Sequence, residues 1–452
     1  NRVYHLHKSN PVVTKRPRKP ETSIKDAFKE MEHEAVSNSV NTPRENNPSC
    51  LLPRRPWVSK QQAVTLATNL FNLHILDDSS VKELDGYDDR NFFVRGLLNT
   101  EGKEKEKLPS HEYVLKVVNH MDSNHEGLMK TQSDVMSFLQ SRDHACPVPV
   151  PSVYDTTFVM CKIPKVAPPD SVTMETNELA DKEEIEIYNG EEYSNEAYYV
   201  CAVRLLTFVP GQMLHEIPLN TQLCFDAGFA LGRLHQDLKD FGCPKLGRDD
   251  LAWNLATTGE KIEPFLDVLN DHHFIEMIQE VCESFRKNVT PKIHLLPQQV
   301  IHGDANYTNM LLVRRSGNND NLAADFGFID FSDINYSCRV FDVAISLTYC
   351  LNLPNVSNCE ESRMAAGHFF AGYYSVNPLS NEEIELLPVL IASRFCQTLV
   401  YGAFTNTHLD PGNSYIMETS THGWKNFEAF WKTPKDEVLK MWLRLTNQNS
   451  YN

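Results

Sequence analysis

Apolar positions along this chain fall into short continuous runs in its first half and helical stripes in its second. From Asn1 to about Arg55 the sequence is polar, rich in Pro, Lys, Glu and Asn, and shows no apolar period, so a disordered tail is expected there. Folding is expected from Pro56. Ser59 and Gln62 have capping-box spacing, and Ala63, Leu66, Ala67, Leu70 and Phe71 follow at helical spacing. Leu84 to Val94 reads as a first hairpin, Glu101 to Lys107 as a charged loop tip, and Tyr113 to Val118 as an apolar strand interrupted by Lys116. A second capping box, Ser123 with Glu126, predicts a helix whose buried face is Leu128, Val135, Met136 and Leu139, with Gln132 in its middle. Pro147 to Pro151 is a connector, and Pro164 to Tyr193 a polar, acidic insertion expected to be hairpin-like. Tyr198 to Val209 is a strong strand run closed by Pro210-Gly211.

Beyond that run the pattern turns helical. Leu223, Ala227, Ala230, Leu231, Leu234 and Leu238 make one apolar face, and more helix is expected over Ile262 to Val289 and from Arg339 to Ile345. His235 on the first of these helices and Asp342 in the first turn of the last read as structural residues, Asp342 as a helix cap. The pattern therefore predicts an α+β protein. A strand-rich part over residues 56–208 precedes a mostly helical part over 209–452, with a hinge near Val209.

The chemistry concentrates between Val300 and Asp333, read as VIHGDANYTNMLL, a polar loop, and FGFIDFSD. Asp304, Asn309 and Asp330 are polar side chains in apolar surroundings. A carboxylate, an amide five residues on and a second carboxylate one hairpin downstream suit phosphoryl transfer. One group orients the attacking hydroxyl, and two hold the metal ion that neutralises phosphate charge. Asp325 offers a competing carboxylate, because Asp325-Phe326-Gly327 spells a metal-binding triplet of protein kinases. On one regular strand, Asp325 and Asp330 would stand roughly 16 Å apart at about 3.3 Å per residue and face opposite ways. Only Asp330 is expected to join Asn309. Lys116 is a charge inside an apolar strand and is costly there unless paired.

Lys+Arg of 43 against Asp+Glu of 60 gives a net charge of -17, which argues against nucleic acid or anionic membrane as the main partner and suits a small cationic substrate or simple solubility. The basic run Lys15 to Lys19 reads as a solvated cluster or an address. Eleven cysteines without a CxxC pair point to a reducing compartment, the cytoplasm. Sequons occur at Asn288, Asn306, Asn335 and Asn355, and a glycan on Asn306 would block the candidate site, which argues against secretion. No apolar run approaches the roughly 20 residues of a membrane span. The first residue is Asn1 rather than Met, consistent with a start that is missing or processed. Oligomeric state is left open.

HGDxxxxN followed by IDFxD, as it stands in His302 to Asn309 and Ile329 to Asp333, resembles the aminoglycoside-phosphotransferase and choline-kinase-like family of small-molecule kinases. The resemblance runs from about Ser59 to Trp442 through GYDDRNFFV, YVLKVV, VRLLTFVPG, VIHGDANYTN, FIDFSD, VFDVAI, SRFCQ and THGWK. It implies a bilobal, protein-kinase-like fold, Mg2+, and GTP or ATP as phosphate donor. The implied acceptor is the side-chain hydroxyl of 5-hydroxy-L-lysine. Another hydroxylated amine, such as choline or an aminoglycoside, and a non-catalytic nucleotide-binding scaffold are the alternatives. Asp304 would be the catalytic carboxylate, with Asn309 and Asp330 on the metal. Lys116 would grip the α/β-phosphates, with Asn91 on the covering hairpin. The backbone of Leu206 to Phe208, including Thr207, would hold the base. Protein kinases place a Glu where this chain has Gln132, so a neutral Lys116–Gln132 hydrogen bond is expected instead. Asp333 would complete the metal's surroundings or face a substrate ammonium. Arg394 would make a bidentate contact to the amino-acid carboxylate, with Gln397 also substrate-binding, and the GWK segment at Gly423 to Lys425 would wall the acceptor pocket.

Overall fold

Lys116 and Arg204 face each other across two central strands of a twisted antiparallel sheet, and the rest of the first lobe is built around that pair. The computed structural model describes residues 51–98, 111–165, 185–190, 197–218, 220–243, 246–313, 325–354 and 358–448. The expected loop tip over Glu101 to Lys107, nearly all of the expected tail and most of the acidic insertion lie outside them.

The chain runs α1 (Lys60–Phe71), β1 (Leu73–Ile75), β2 (Val81–Leu84), β3 (Arg90–Leu98), β4 (Glu112–Val117), α2 (His120–Ser123), α3 (Leu128–Ser141), β5 (Pro149–Val150), β6 (Val159–Pro164) and β7 (Tyr198–Thr207). These strands form a seven-stranded sheet in the order β1-β3-β4-β7-β5, with β2 also on β3 and β6 also on β7. Ser59 and Gln62 make the expected reciprocal cap on α1. Side chains alternate across the pleat. Leu115, Val117, Cys201, Val203 and Leu205 join a core under α1, whereas Ala202 and Leu206 face the other way, into the core shared with α3. Lys116 and Arg204 alternate out of phase with the first set and share the second face.

Two expectations fail here. Leu51 to Arg55 are not free tail: Leu52 is buried, and Arg55 donates to Asp89 O at 3.2 Å and to Glu83 at 3.0 Å. Ser123 and Glu126 do not start the helix. Asn119 caps α2 instead, and Gly127, with φ of 71°, turns the chain into α3. Ser123 is drawn away to the sheet, donating to Val118 O at 3.1 Å and accepting from Ala202 N at 2.8 Å.

The second lobe begins after β7 with β8 (Gln212–Met213), followed by α4 (Thr221–Leu238), α5 (Thr258–Lys261), α6 (His272–Asn288), β9 (Gln298–Ile301), β10 (Met310–Leu312), β11 (Phe326–Phe328), β12 (Asn335–Cys338) and α7 (Arg339–Leu351). It closes with α8 (Cys359–Val376), α9 (Asn381–Phe404), α10 (Ser414–Glu418), α11 (Ser420–Lys432) and α12 (Lys435–Gln448). Gly228 and Gly372 let α4 and α8 approach so closely that a Cβ on Gly228 would lie 1.9 Å from Phe369 O. Contrary to the sequence reading, one helix, extending over Asn381–Leu409, is long and apolar enough to cross a membrane, but 89% of its apolar window is buried inside the protein. It is the central core helix, which explains its uniform hydrophobicity. Trp424 packs on Phe274 of α6 with ring centroids 4.7 Å apart.

Candidate active site

Two short antiparallel pairs set the site. β9 pairs with β12 through Val300↔Tyr336, and β10 with β11 through Met310↔Phe328. The connection 302–309 and the connection 329–334 therefore leave the same ends of these pairs and run side by side. His302 Nε2 reaches Ile329 O at 3.0 Å, and Ile329 N donates to Asn309 O at 3.0 Å. Gly303 has φ of 85°, and a Cβ there would sit 1.9 Å from Asp333 O. Only glycine allows the two connections to touch.

The 302–309 loop is pinned from below. Asp342 is fully buried and accepts from His302 N at 2.7 Å and Gly303 N at 2.8 Å. Its Oδ2 also meets His235 Nε2 at 3.0 Å, and His235 Nδ1 meets the Tyr373 hydroxyl at 2.9 Å. His235 is structural, as its sequence context suggested. Asp342 is not a cap on its own helix: it anchors the loop.

Asp304 is thereby held at the cleft with its side chain 22% exposed. Its Oδ2 accepts from Asn306 Nδ2 at 2.8 Å and Asn309 Nδ2 at 2.9 Å, and its Oδ1 from Arg394 Nη2 at 2.6 Å. Burial lifts its pKa above the usual carboxylate value, with Arg394 and His302 opposing. Asp333 is pushed well up by burial and then by the neighbouring Asp304 charge.

Asp330 sits just past β11 at φ of 58°. That left-handed backbone costs a non-glycine residue about 1 kcal/mol or more. Burial works against its ionisation, but Lys116 and the Ser332 hydroxyl outweigh it and hold the carboxyl at about 2. Asp325 lies at the opposite end of the same three-residue strand, its carbonyl accepting from Val313 N at 2.8 Å. The hairpin thus brings Asp330, and not Asp325, beside Asn309.

These residues fit a divalent cation. Asn309 spends its amide nitrogen on Asp304 O and Oδ2, so the atom it would offer a cation is its carbonyl oxygen. Among the described residues no three His, Cys, Asp or Glu side chains form a ready-made metal cage. One carboxylate and one amide oxygen, completed by water and phosphate oxygens, are the donor set Mg2+ uses in phosphoryl-transfer sites.

From the first lobe, Lys116 meets Asp330 Oδ1 at 2.8 Å and Asp89 Oδ2 at 2.9 Å. The expected partner, Gln132, is elsewhere engaged. Its Oε1 accepts from Arg204 Nη1 at 2.6 Å, and its Nε2 donates to Ser332 O at 3.3 Å. Asn91 is the cross-strand neighbour of Lys116, and its Oδ1 is buried without a partner. At the hinge, the expected donors are spent on the sheet: Thr207 N donates to Val148 O at 2.9 Å and Phe208 N to Glu112 O at 3.0 Å. The N–H of Val209 is the first on this connection without a backbone acceptor among the described residues.

Arg394 is buried against the rings of Trp253 and Tyr349, 4.9 and 5.8 Å from their centroids, and its Nε and Nη1 have no hydrogen-bond partner. Gln397, one turn on, donates to Ala252 O at 3.2 Å and Asn254 O at 3.4 Å, while its Oε1 is left unpaired. Sequence reasoning missed Asp89, Arg204 and Trp253. Arg204 carried the same signal as Lys116, a charge inside an apolar strand.

A cleft with a loop carboxylate, an amide–carboxylate pair and a strand lysine defines a phosphotransferase of kinase-like fold. Residues 80–379 match the phosphotransferase enzyme family, and the chain belongs to it. Hydroxylysine kinase of Bos taurus is 29% identical over 395 residues, covering 86% of this chain and 93% of its own. Hydroxylysine kinase of Danio rerio is 27% identical over 397 residues, covering 87% and 97%. Among solved structures, an amicoumacin kinase in complex with AMP-PNP, Ca2+ and Ami is similar at a TM-score of 0.53 and 15% identity, over 84% of this chain and 97% of its own, a likeness of fold. The chain is a small-molecule phosphotransferase acting on an alcohol group.

Proposed function

We propose that this enzyme moves the terminal phosphate of GTP or ATP onto the side-chain hydroxyl of 5-hydroxy-L-lysine, in the cytoplasm. The observation carrying the chemistry is the meeting of Asp304, Asn309 and Asp330 at one end of the β10–β11 hairpin, with Lys116 reaching Asp330 from the other lobe at 2.8 Å. Support for the acceptor comes from the likeness to hydroxylysine kinases along 86% of the chain. The free cysteines suit a reducing compartment.

In this reading Asp304 orients the acceptor hydroxyl and takes its proton as the oxygen bonds to the terminal phosphorus and the bond to the nucleoside diphosphate breaks. Arg394 and the two asparagine amides hold that carboxylate in place. Asn309 Oδ1 and Asp330 would hold Mg2+, which when bound neutralises phosphate charge. Lys116 steadies the phosphates. Arg394, paired with Asp304 at 2.6 Å, is in this reading the cation that meets the acceptor carboxylate. Asp333 faces the acceptor ammonium.

The test incubates the protein with Mg2+, ATP or GTP, and 5-hydroxylysine, homoserine, choline or an aminoglycoside, with phosphorus NMR of the products. A phosphate ester on hydroxylysine at a kcat/KM well above the other acceptors supports the proposal. Preferential transfer to choline or an aminoglycoside replaces the acceptor, and nucleotide binding without any transfer leaves a scaffold.

A further inference from the structure

Lys116 and Arg204 are directly paired across β4 and β7 and point to the same face. Like charges opposite each other on a sheet repel, and both side chains are buried, at 7% and 2% exposure. Each therefore needs acceptors of its own. Arg204 takes the neutral ones: Gln132 Oε1 at 2.6 Å and Ser133 Oγ at 2.8 Å, both on α3. The helix position that carries a glutamate in protein kinases is thus occupied by an amide already committed to the arginine, and the carboxylate α3 does carry, Asp134, is exposed and paired with Lys130 at 2.7 Å.

The carboxylate arrives instead from the turn between β2 and β3. Asp89 is 4% exposed. Its Oδ1 accepts from Asn119 N at 2.7 Å and Asn119 Nδ2 at 3.0 Å, which fixes the side chain at the end of β4. Its Oδ2 meets Lys116 Nζ at 2.9 Å and accepts from Ser332 Oγ at 3.2 Å, two residues past Asp330. A Cβ on Gly86 would sit 2.7 Å from Asp89 O, so glycine is what lets this turn fold back on itself and present Asp89 inward. One carboxylate thereby ties the hairpin over the cleft, the phosphate lysine and the loop bearing Asp330.

We infer that Asp89 is the positioning residue of Lys116, supplying from the covering hairpin the carboxylate that kinases of this fold draw from the helix. The inference rests on the proposed function for the role of Lys116 in gripping nucleotide phosphates. It explains why Gln132 is neutral, and it makes the hairpin a part of the phosphate grip rather than a cover alone.

A double-mutant cycle on nucleotide binding tests this. The dissociation constant of a non-hydrolysable, Mg2+-loaded nucleotide is measured by calorimetry for wild type, Asp89→Asn, Lys116→Met and the double variant. Asp89→Asn should weaken binding roughly tenfold, the size of one charge-assisted contact, and Asp89→Glu should recover most of it. On the Lys116→Met background, Asp89→Asn should change binding less than about twofold, because the coupling partner is gone. Removing both charges also spares the double variant an unpaired buried ion if the single one folds poorly. In turnover, the nucleotide KM should rise while the acceptor KM holds. Equal effects of Asp89→Asn with and without Lys116, or a failure of Asp89→Glu to recover binding, would overturn the inference. A wild type that binds nucleotide yet transfers no phosphate overturns the proposed function alone, and the cycle still judges Asp89.

Discussion

Two carboxylates, the half-buried Asp304 and the buried Asp89, each hold a cation at the cleft, and they are supported in opposite ways. Asp304 pairs with Arg394 and is braced by Asn306, Asn309 and, through the loop backbone, Asp342, all from the second lobe. Asp89 pairs with Lys116 in the first lobe but shares it with Asp330 and bonds Ser332, both from the second. Other contacts cross the same boundary: Tyr87 donates to Thr405 Oγ1 at 2.8 Å, and Arg248 donates to Asp122. The surroundings of Asp304 come from the helical part of the chain alone, whereas those of Lys116 draw on both the strand-rich and the helical part. On the proposed function, changes around Lys116 should act first on nucleotide affinity.

The largest expected effect separates the two aspartates of the hairpin. Asp330→Asn should lower kcat by about three orders of magnitude, because it would lose both the proposed metal contact and the charge facing Lys116. Asp325→Asn should change kcat only a few-fold; steady-state kinetics across Mg2+ concentrations would reveal the reverse order if the register were otherwise.

Next comes Arg394→Ala. With Asp304 raised by burial and lowered by Arg394, activity in wild type should fall as pH drops through a value above the usual aspartate pKa of about 3.9, since protonation removes the proton acceptor. Without the guanidinium, protonation becomes easier, so this acid limb should move to higher pH, alongside a rise in acceptor KM. A pH profile of kcat/KM checks both, and an unmoved limb would disconnect Arg394 from Asp304.

Asp342→Ala should cost about 3 kcal/mol of stability, since it strands two loop N–H groups and His235 in a dry interior, read as a drop in the denaturant midpoint. Tyr87→Phe is the mildest: losing one interlobe hydroxyl contact should cost about 1 kcal/mol and raise KM for nucleotide more than it lowers kcat.

The same contrast governs what could be read from the sequence. Asp304, Asn309 and Asp330 lie within 27 positions, and short strands bring them together, so their spacing carried the message. The helical stripes of α4 and α7 were likewise local. The partner of Lys116 was not. Asp89 lies far from α3, and its role depends on β3 pairing with β4 and on Gln132 being claimed by Arg204 across the sheet. Capping at Ser123 failed because the sheet competes for its hydroxyl, a tertiary contact that no local pattern encodes. The left-handed backbone of Asp330 was equally invisible, since nothing in the residue type requires it.

The most direct test is a single-turnover experiment with 5-hydroxylysine and Mg2+-nucleotide, comparing wild type with Asp304→Asn. Wild type should form phosphohydroxylysine, and the variant should lose transfer by about 10²- to 10⁴-fold, the range for a general base, while binding nucleotide within about twofold of wild type. Near wild-type transfer by the variant would contradict the assignment of Asp304, and with it the chemistry built on the loop.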